Sequence, residues 1–391
     1  MSINLQEMDN KILNKSYKIC SKCVMDISDK NIKFNKDGIC DHCLNYQNRI
    51  LPKWESQTKD SNNIQKLSDR IKKRKVNNSE HDCIIGMSGG VDSSYLVYVA
   101  KEIMGLNPLV FHVDAGWNSD IAINNIERIV DSLNLDLYTE VINWEEMKDL
   151  QLSFFKSGVP HIDAPQDHAF FSTMYSFALK HGIRNILTGA NYSTECIRNP
   201  VEWMYYQSDS SQIKDIHQKY GKNKLKKFPF TSILWHKVWL PYFKKIKLFT
   251  PLNYVNYEKK EAIKLLKEKF NWQPYTQKHF ESRFTKFYES YWLYERFGYD
   301  VRRVQFSSLI LTQQMTRKDA LEKLKCKPYD IENIHKDKEF IANKLDITLN
   351  ELENFKYLPK KTFKDFANQH NIYKIGSYFI QKIGMESSVK R

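Results

Sequence analysis

The sequence predicts an α/β fold built on a doubly wound parallel sheet, with a zinc ribbon before it and a helical region after it. Three observations predict this architecture. Strand and helix patterns alternate between residues 81 and 255, a glycine- and serine-rich turn follows the first of those strands, and two Cys-x₂-Cys pairs lie near the N-terminus. We therefore divide the chain into a zinc-ribbon module (1–50), a linker helix (51–80), a sheet domain (81–255) and a helical C-terminal region (256–391).

Length and charge restrict the class of protein. The 391 residues suffice for about two or three domains. No apolar run approaches the roughly 18 residues that a membrane span needs, and the polar stretch 1–18 does not resemble a signal peptide. We expect a soluble cytoplasmic protein with no membrane partner. The formal net charge of +14 suits either a polyanionic substrate or a composition rich in lysine throughout.

The two cysteine pairs predict a structural metal site. Without an export signal, cysteines are expected to be reduced and available to metal. The spacing is typical of a tetrahedral Zn²⁺ site with four sulfur ligands, which stabilises a small module and does no chemistry itself. Two alternatives remain at this point: His42 in place of one thiolate, and an iron–sulfur or redox centre. The predicted ligands are Cys20, Cys23, Cys40 and Cys43.

The predicted elements follow from hydrophobic periodicity. Ile64, Leu67 and Ile71 are spaced as on an amphipathic linker helix. The predicted strands cover residues 83–87, 108–113, 136–141 and 185–188, and the helices between them cover 95–104, 120–133, 144–156 and 168–181. Beyond about residue 251 the chain is aromatic and helical, with helices predicted over 257–270, 282–297, 317–325, 336–345 and 349–355.

The turn after the first predicted strand carries the strongest functional signal. Residues 88–94 read Ser-Gly-Gly-Val-Asp-Ser-Ser. Paired glycines permit a tight turn and a close approach of phosphate oxygens, and the following helix N-terminus supplies unpaired N–H groups. The lysine of a Walker A loop is absent. The simpler alternative is an ordinary turn before an amphipathic helix. The candidate phosphate ligands are Ser88, Gly89, Gly90, Asp92, Ser93 and Ser94.

This run resembles the pyrophosphate loop (PP-loop) of the N-type ATP pyrophosphatases. That superfamily includes GMP synthetase, NAD synthetase, argininosuccinate and asparagine synthetases, and tRNA thiolation enzymes. The resemblance implies an adenine nucleotide alpha hydrolase-like fold that binds ATP with Mg²⁺ and cleaves it between the α and β phosphates. It also implies catalytic roles for Asp92, which can hold Mg²⁺, and for Ser93.

Two further loops end predicted strands, and ligands of doubly wound sheets bind at those ends. The resemblance implies that His112 and Asp114 receive the adenosine, although Asp114 could instead cap the next helix. It also implies that loop 189–195 closes over ATP, with Glu195 as a catalytic, metal-capable carboxylate; ordinary loop polarity is the alternative. This loop further offers Gly189, Asn191 and Thr194 as nucleotide contacts.

Two groups of charged residues lie outside these loops. Residues 160–168 gather two carboxylates and two imidazoles. We predict a catalytic, metal or substrate role for Asp167, with capping of the following helix by Asp163 or Asp167 as the alternative. Because the loop lacks a lysine, another cation must offset the charge on departing pyrophosphate. Candidates among the aromatic C-terminal segments are Lys278, Arg283, Arg302 and Arg303, although solvated helix faces would show the same pattern.

Taken together, these segments resemble the N-acetyl sugar amidotransferases, a branch of the same superfamily. The resemblance covers roughly residues 18–325, is less clear over the last sixty or so, and departs from the family pattern at residues 196–198. The matching stretches are 20–26, 38–43, 88–94, 163–169, 189–195, 279–285, 300–303, 307–310 and 314–320.

The closer resemblance implies conversion of a sugar acetamido group into an acetamidino group, in lipopolysaccharide O-antigen or flagellar glycan biosynthesis. The substrate is expected to be a nucleotide-linked N-acetyl sugar. Because an amide oxygen is a poor leaving group, ATP would first adenylate it, and ammonia would then displace AMP. Mg²⁺ and loop amides would stabilise the departing pyrophosphate, and closure of the site would exclude water.

Ammonia needs a source, and the sequence contains no glutaminase pattern. Cys196 is the only thiol near the predicted site, and it lacks a Cys-His partner pattern. The resemblance therefore implies a separate glutaminase subunit as partner, with or without a HisF-like cyclase homologue.

Two rival functions share some of these features. An RNA-modifying enzyme of the thiolation type would also have the loop, a zinc ribbon and a basic charge, but paired catalytic cysteines and a concentrated basic arm are missing from the sequence. Nucleic acid is therefore a disfavoured partner. A zinc-ribbon adaptor on a degenerate nucleotide fold would not be expected to keep an intact Ser-Gly-Gly-Val-Asp-Ser run.

Overall fold

A five-stranded parallel sheet organises the protein over the residues that the structure, a computed structural model, describes: 17–76 and 79–382. The strands are β1 (Cys83–Gly86), β2 (Pro108–Asp114), β3 (Leu137–Val141), β4 (Asn185–Leu187) and β5 (Lys247–Phe249). Their order in the sheet is β3-β2-β1-β4-β5, and every neighbouring pair is parallel. The predicted α/β fold with a doubly wound parallel sheet is therefore confirmed.

Helices connect and cover these strands. In chain order they are α1 (Asp41–Asn45), α2 (Leu51–Thr58), α3 (Asn62–Lys72), α4 (Val91–Tyr98), α5 (Asp120–Ser132), α6 (Trp144–Ser157), α7 (Ala164–Lys180), α8 (Tyr192–Glu195), α9 (Ser210–Tyr220), α10 (Lys259–Phe270), α11 (Arg283–Phe287), α12 (Arg302–Leu311), α13 (Arg317–Leu324), α14 (Ile334–Lys344), α15 (Leu349–Asn354) and α16 (His370–Lys382). Four π-helical segments cover Tyr46–Ile50, Val99–Ile103, Trp235–Phe243 and Tyr288–Phe297. Short 3₁₀ turns cover Pro251–Tyr254, Phe355–Tyr357 and Phe363–Asp365.

Burial explains which strands the sequence reveals. The central strands β1, β2 and β4 are almost wholly buried and read as continuous apolar runs, as expected for parallel strands covered on both faces. The edge strand β3 is largely exposed. The other edge, β5, has only three residues, two of them exposed, so its sequence gives no periodic signal and it was not predicted.

The order of the strands places a crevice between β1 and β4. The chain first builds outward from β1 through β2 to β3, and then crosses back to add β4 and β5 on the other side. Loops at the carboxyl ends of strands diverge at such a switch point, which is where doubly wound sheets bind ligands. The loops after β1 and β4 therefore face the same crevice.

The helical C-terminal region covers both the sheet and the ribbon. Helix α10 packs on α4 and α5, so this helix lies against the sheet. Further along, α12 packs on α8, which follows β4. Among the residues described, no helix combines the length and the apolar character that crossing a membrane requires.

Candidate functional site

The four predicted cysteine ligands form one buried cluster. Their sulfur atoms all lie within 4.8 Å of one another, with separations of 3.8 Å for Cys20–Cys43 and 3.6 Å for both Cys23–Cys40 and Cys40–Cys43. A tetrahedral zinc ion with Zn–S bonds of ~2.3 Å separates its sulfur ligands by ~3.8 Å. The cluster therefore fits zinc, and backbone N–H groups of Cys23, Met25 and Cys40 point at its sulfurs.

His42 has another partner. Its Nε2 atom lies 2.8 Å from Oδ2 of Asp29, and both side chains are buried. The alternative in which His42 replaces a thiolate ligand is therefore not supported, since the ring is already engaged inside the ribbon.

Two arginines attach the ribbon to the C-terminal helices. Arg317 donates to the carbonyls of Cys20 and Cys23 at 2.9 and 3.0 Å. Arg303 donates to the carbonyl of Val24 at 2.9 Å and lies 3.1 Å from the Asp26 carboxylate. Arg303, one of the candidate phosphate cations, is thus engaged in holding the ribbon.

The turn after β1 packs closely against the backbone of α5. Gly89 has φ of +80°, and a Cβ atom there would lie 2.6 Å from the carbonyl oxygen of Ala122. Any other residue at position 89 would be both strained and blocked. The Ser93 hydroxyl donates to the carbonyl of Gly90 at 3.2 Å and accepts the N–H of Ser88 at 3.3 Å. The turn thus directs the N-terminus of α4 into the crevice.

An ammonium group lies between two predicted site carboxylates. Nζ of Lys278 lies 2.8 Å from Oδ2 of Asp92 and 2.6 Å from Oε1 of Glu195, and the Tyr257 hydroxyl donates to the other oxygen of Asp92. Burial alone would lower the pKa of Lys278, but the two carboxylates outweigh it and raise that pKa above its ordinary value. Burial opposes ionisation of Asp92, yet Lys278 lowers its pKa.

The Glu281 carboxylate, from the same C-terminal segment, lies against the turn after β1. The Ser88 hydroxyl donates to Oε1 of Glu281 at 3.0 Å. A Cβ atom on Gly90 would lie 2.6 Å from that same oxygen, so the carboxylate lies directly over the turn. Residues 278–281 therefore place a cation on Asp92 and Glu195 and an anion on the predicted phosphate-binding turn.

The loop after β4 packs against the turn after β1. A Cβ atom on Gly189 would lie 3.0 Å from the carbonyl carbon of Asp92. The Asn191 side chain caps α8 by accepting the N–H of Thr194 at 2.8 Å. Asn191 and Thr194 thereby fix the short helix that carries Glu195, and Oγ1 of Thr194 lies 3.5 Å from Nζ of Lys278.

These groups line a cavity of about 280 Å³, which we call the phosphate cavity. Lys259 also lines it and was not singled out from the sequence, because a lysine at the start of a helix carries no motif. The predicted site residues on its wall are Ser88, Gly90, Asp92, Ser93, Gly189, Glu195 and Lys278. Gly89 shapes the turn behind them, and Ser94 is fully buried.

His112 and Asp114 lie at the carboxyl end of β2, beside this cavity but not on its wall. Nδ1 of His112 lies 2.9 Å from the carbonyl oxygen of Met87, and the Asn118 amide donates to Nε2 of His112 at 3.0 Å and to Asp114 at 3.1 Å. Asp114 also accepts the N–H of Gly116 at 2.7 Å. Both side chains organise the turn after β2, and their adenosine role stays a prediction.

The acids and imidazoles of residues 160–168 lie outside the wall of the phosphate cavity, and each has its own partners. The Thr285 hydroxyl donates to Asp163 at 2.7 Å, and burial raises the Asp163 pKa well above its usual range. Asp167 lies 3.5 Å from Nε2 of His161 and inside the first turn of α7, which begins at Ala164 rather than at the predicted residue 168. Capping by Asp167 is therefore wrong. Asp163 occupies the N-cap position, although its side chain makes no capping hydrogen bond. The site role of Asp167 stays a prediction.

Two of the predicted cations do not reach the phosphate cavity. The Arg302 guanidinium pairs with Asp300 at 2.7 Å and donates to the carbonyl of Cys326 at 2.8 Å, so it closes the turn around α12. The Arg283 guanidinium lies 3.3 Å from the ring centre of Phe340 and 4.0 Å from Asp337. Neither contacts the turn after β1, so Lys278 is the one predicted cation that the fold brings there among the residues described.

His279 has a backbone conformation that is unusual for its residue type. Its φ is +66°, and its Nδ1 lies 2.9 Å from Oε1 of Glu289. Burial opposes protonation of the ring, but the Glu289 carboxylate outweighs it and raises the His279 pKa to about 9. Strained residues of this kind concentrate at functional sites, and His279 lines the phosphate cavity.

Cys196 is unsuited to nucleophilic catalysis. Burial raises its pKa to about 12, and its sulfur lies 3.8 Å from the carbonyl oxygen of Ser308. A thiol with this pKa is almost entirely protonated near neutral pH, whereas a glutaminase nucleophile needs a thiolate.

Known proteins match parts of this chain. Residues 281–380 match the family model of the C-terminal domain of WbpG-like lipopolysaccharide biosynthesis proteins. This match confirms a resemblance to lipopolysaccharide biosynthesis proteins over these residues and continues to residue 380, beyond the stretch where the sequence motifs are clear. An uncharacterized protein of Methanocaldococcus jannaschii is 31% identical over 120 residues, which cover 30% of this chain and 40% of that protein.

Three solved structures are similar to this chain, each with a TM-score of 0.28. NMN synthetase from Francisella tularensis is 15% identical over 56% of this chain and 90% of its own. NH3-dependent NAD synthetase from Campylobacter jejuni is 17% identical over 56% of this chain and 100% of its own. A predicted subunit of tRNA methyltransferase from M. jannaschii is 16% identical over 48% and 76%, respectively. The strand order of the sheet itself defines the fold.

Proposed function

We propose that this chain, whose residues 281–380 match the WbpG-like lipopolysaccharide biosynthesis domain, is an ATP-dependent, AMP-forming amidotransferase. It would convert the N-acetyl group of a nucleotide-linked sugar into an acetamidino group. One observation carries this proposal. The glycine turn after β1, the acids Asp92 and Glu195, and Lys278 of the C-terminal motif line a single phosphate-sized cavity.

In the first step the acetamido oxygen attacks the α-phosphorus of ATP. The bond to the bridging oxygen breaks, and pyrophosphate leaves with the electron pair. The N–H groups at the start of α4 and the hydroxyls of Ser88 and Ser93 are positioned to bind the β and γ phosphates. Lys278 and Lys259 would offset the charge that develops on pyrophosphate.

In the second step ammonia adds to the imidoyl carbon. The carbon–oxygen bond breaks, AMP leaves with the former acetamido oxygen, and an amidinium product remains. Ammonia would come from a separate glutaminase subunit, because the buried Cys196 thiol is a poor nucleophile. Residues 278–281 would shield the adenylate from water while ammonia is delivered.

Two carboxylates suit a divalent cation at this site. Asp92 and Glu195 both contact Nζ of Lys278, so their oxygens already converge on one cation. They would hold Mg²⁺, which when bound offsets phosphate charge and polarises the reacting phosphate. The ammonium of Lys278 would then turn from the carboxylates to the phosphates.

The test is a product assay on the purified chain with ATP, ammonium and nucleotide-linked N-acetyl sugars. We expect AMP, pyrophosphate and a sugar product whose acetamido oxygen has been replaced by nitrogen, detected by mass spectrometry. Formation of ADP and orthophosphate, or unchanged sugar with every acceptor, would reject the proposal. Glutamine in place of ammonium should give no product with the isolated chain, since the nitrogen donor requires the glutaminase subunit.

A further inference from the structure

A second cavity of about 510 Å³ adjoins the phosphate cavity. The two share Ala190, Glu195, Lys278 and His279 on their walls. The outer wall of the second cavity is formed by Ile50, Lys53 and Gln57, which lie at the end of the π-helical segment after α1 and on α2, the helix that continues from the zinc ribbon. A molecule in this second cavity would therefore meet ATP at the shared residues.

The lining of this cavity is rich in cations and carboxamides. Lys53 and Arg198 lie on its wall, together with the shared Lys278 and His279, whereas Glu195 is its one acidic lining residue. Such a wall favours an anionic ligand. Six carboxamides add donors and acceptors suited to sugar hydroxyls: Gln57, Asn191, Asn199, Gln207, Asn253 and Gln305.

Two of these carboxamides have unused acceptor atoms. Oε1 of Gln57 and Oδ1 of Asn199 are buried and have no hydrogen-bond partner among the residues that the structure describes. Buried polar atoms are normally paired, so each such atom calls for a specific explanation. Both belong to residues on the wall of the same cavity, and both are acceptors, which hydroxyl or N–H groups of a ligand would satisfy.

We propose that this second cavity is the acceptor subsite and that it takes an N-acetylated sugar carrying phosphate or diphosphate. This inference rests on the proposed function. The acetamido group would lie at the shared residues, where ATP reacts, and the phosphate would lie toward Lys53 and Arg198. The volume lies within the range of ~300–1,000 Å³ that small-molecule sites occupy. Helix α2 thereby makes the zinc-ribbon side of the molecule part of substrate recognition.

The test compares three cavity variants with a matched control. Lys53→Ala, Gln57→Ala and Asn199→Ala each remove one wall group, whereas Lys59→Ala removes one exposed positive charge just beyond the end of α2 and outside the cavity. UDP-N-acetylglucosamine and CMP-N-acetylneuraminic acid serve as probes in calorimetric binding, and ATP affinity and melting temperature are measured in parallel. We expect each cavity variant to weaken binding of the preferred probe by about tenfold, with ATP affinity and stability unchanged. Lys59→Ala should behave as wild type.

The outcomes separate this inference from the proposed function. If the cavity variants bind the probe as wild type does while acceptor-dependent AMP formation persists, the acceptor lies elsewhere and only the subsite assignment fails. If wild type binds neither probe, a phosphate-bearing sugar in this cavity is rejected, and AMP formation with other acceptors decides the proposed function on its own. If no acceptor elicits AMP, both fail.

Discussion

Lys278 and Glu281 lie three residues apart and place opposite charges at the positions that Mg²⁺ and an ATP phosphate would occupy. The ammonium of Lys278 bridges Asp92 and Glu195, as a divalent cation would, and the Glu281 carboxylate accepts from Ser88, as a phosphate oxygen would. Both contacts satisfy the site before nucleotide binds. On the proposed function, ATP would displace one like charge, Glu281, and capture one opposite charge, Lys278.

The first residue-scale prediction concerns Lys278. Lys278→Ala removes the cation that would offset charge on departing pyrophosphate, so we expect kcat for AMP formation to fall by about 10²–10³. Lys260→Ala removes an exposed lysine near the same cavity and should leave kcat unchanged. The check is steady-state kinetics with saturating ATP. A loss confined to KM would show that Lys278 only binds ATP and does not act in the transition state.

The second prediction concerns the Glu281 carboxylate. Glu281→Gln removes a negative charge from the phosphate-binding turn while keeping the size of the side chain. We expect binding of a non-hydrolysable ATP analogue to tighten by about three- to tenfold, measured by calorimetry. Glu258→Gln, an exposed glutamate before α10, is the control. Unchanged or weaker binding in Glu281→Gln would mean that this carboxylate does not compete with phosphate.

The third prediction concerns the pH dependence of the stability of the fold. Glu289 raises the His279 pKa to about 9 in the folded protein, above the ordinary value of about 6.5. The pair therefore stabilises the fold fully below about pH 6.5, and this stabilisation is lost as pH rises through about 9. Glu289→Gln should flatten the decline in melting temperature over that window. Glu339→Gln, which removes the partner of the exposed His335, should not. Equal slopes in both variants would contradict the assignment.

Sequence reasoning identified the turn and both acids of this site because each lies within a few residues of a predicted strand end. The contacts of the cations were harder to predict from the sequence. Arg302 pairs instead with Asp300, two residues before it. Arg283, by contrast, packs on Phe340 in a distant helix, and Glu281 reaches Ser88 across the fold. Contacts of that range depend on tertiary packing, which periodicity does not encode.

At the scale of elements, the zinc ribbon is tied to the C-terminal helices through arginines. Arg317 and Arg303 bind carbonyls and the carboxylate of the ribbon, and α2 continues from it to the second cavity. Metal binding and ribbon folding should therefore be coupled, as in other small zinc modules. The cysteine spacing alone predicted the ribbon, since two close pairs determine a four-ligand site regardless of the rest of the fold.

Cys43→Ser tests that coupling. We expect loss of bound zinc, measured by elemental analysis, and a melting temperature lower by at least about 5 °C. Cys326→Ser alters an exposed cysteine outside the cluster and should change neither quantity. Full zinc content in Cys43→Ser would show that a ligand outside the four cysteines holds the metal.

Among the secondary-structure elements, the predictions succeeded where an apolar run is continuous and failed where polar side chains interrupt it. The buried strands β1, β2 and β4 agree with the sequence to within about one residue. Helices α9 and α12 were missed. In α12 the polar Ser307 and Ser308 are buried because their hydroxyls accept from Val24 and Ile197, so the apolar period is interrupted by side chains that serve the tertiary structure.

At the scale of the whole molecule, two adjoining cavities meet at Glu195, Lys278 and His279. One lies at the switch point of the sheet, where fold class alone predicted a ligand site. The second cavity is formed by α2, the loop after β4 and α12 together, so no single stretch of sequence reveals it. The net charge of +14 accords with two anionic substrates, and the wall of the second cavity carries more cations than acids.

The proposed reaction transfers the acetamido oxygen of the acceptor to the α-phosphorus of ATP. The most direct test supplies an acceptor whose acetyl oxygen is the heavy isotope, together with ATP and ammonium, and follows the label by mass spectrometry. We expect AMP that carries the heavy oxygen, pyrophosphate without the label, and an amidine product without the label. Label that stays in the sugar or appears in orthophosphate beside ADP would contradict it.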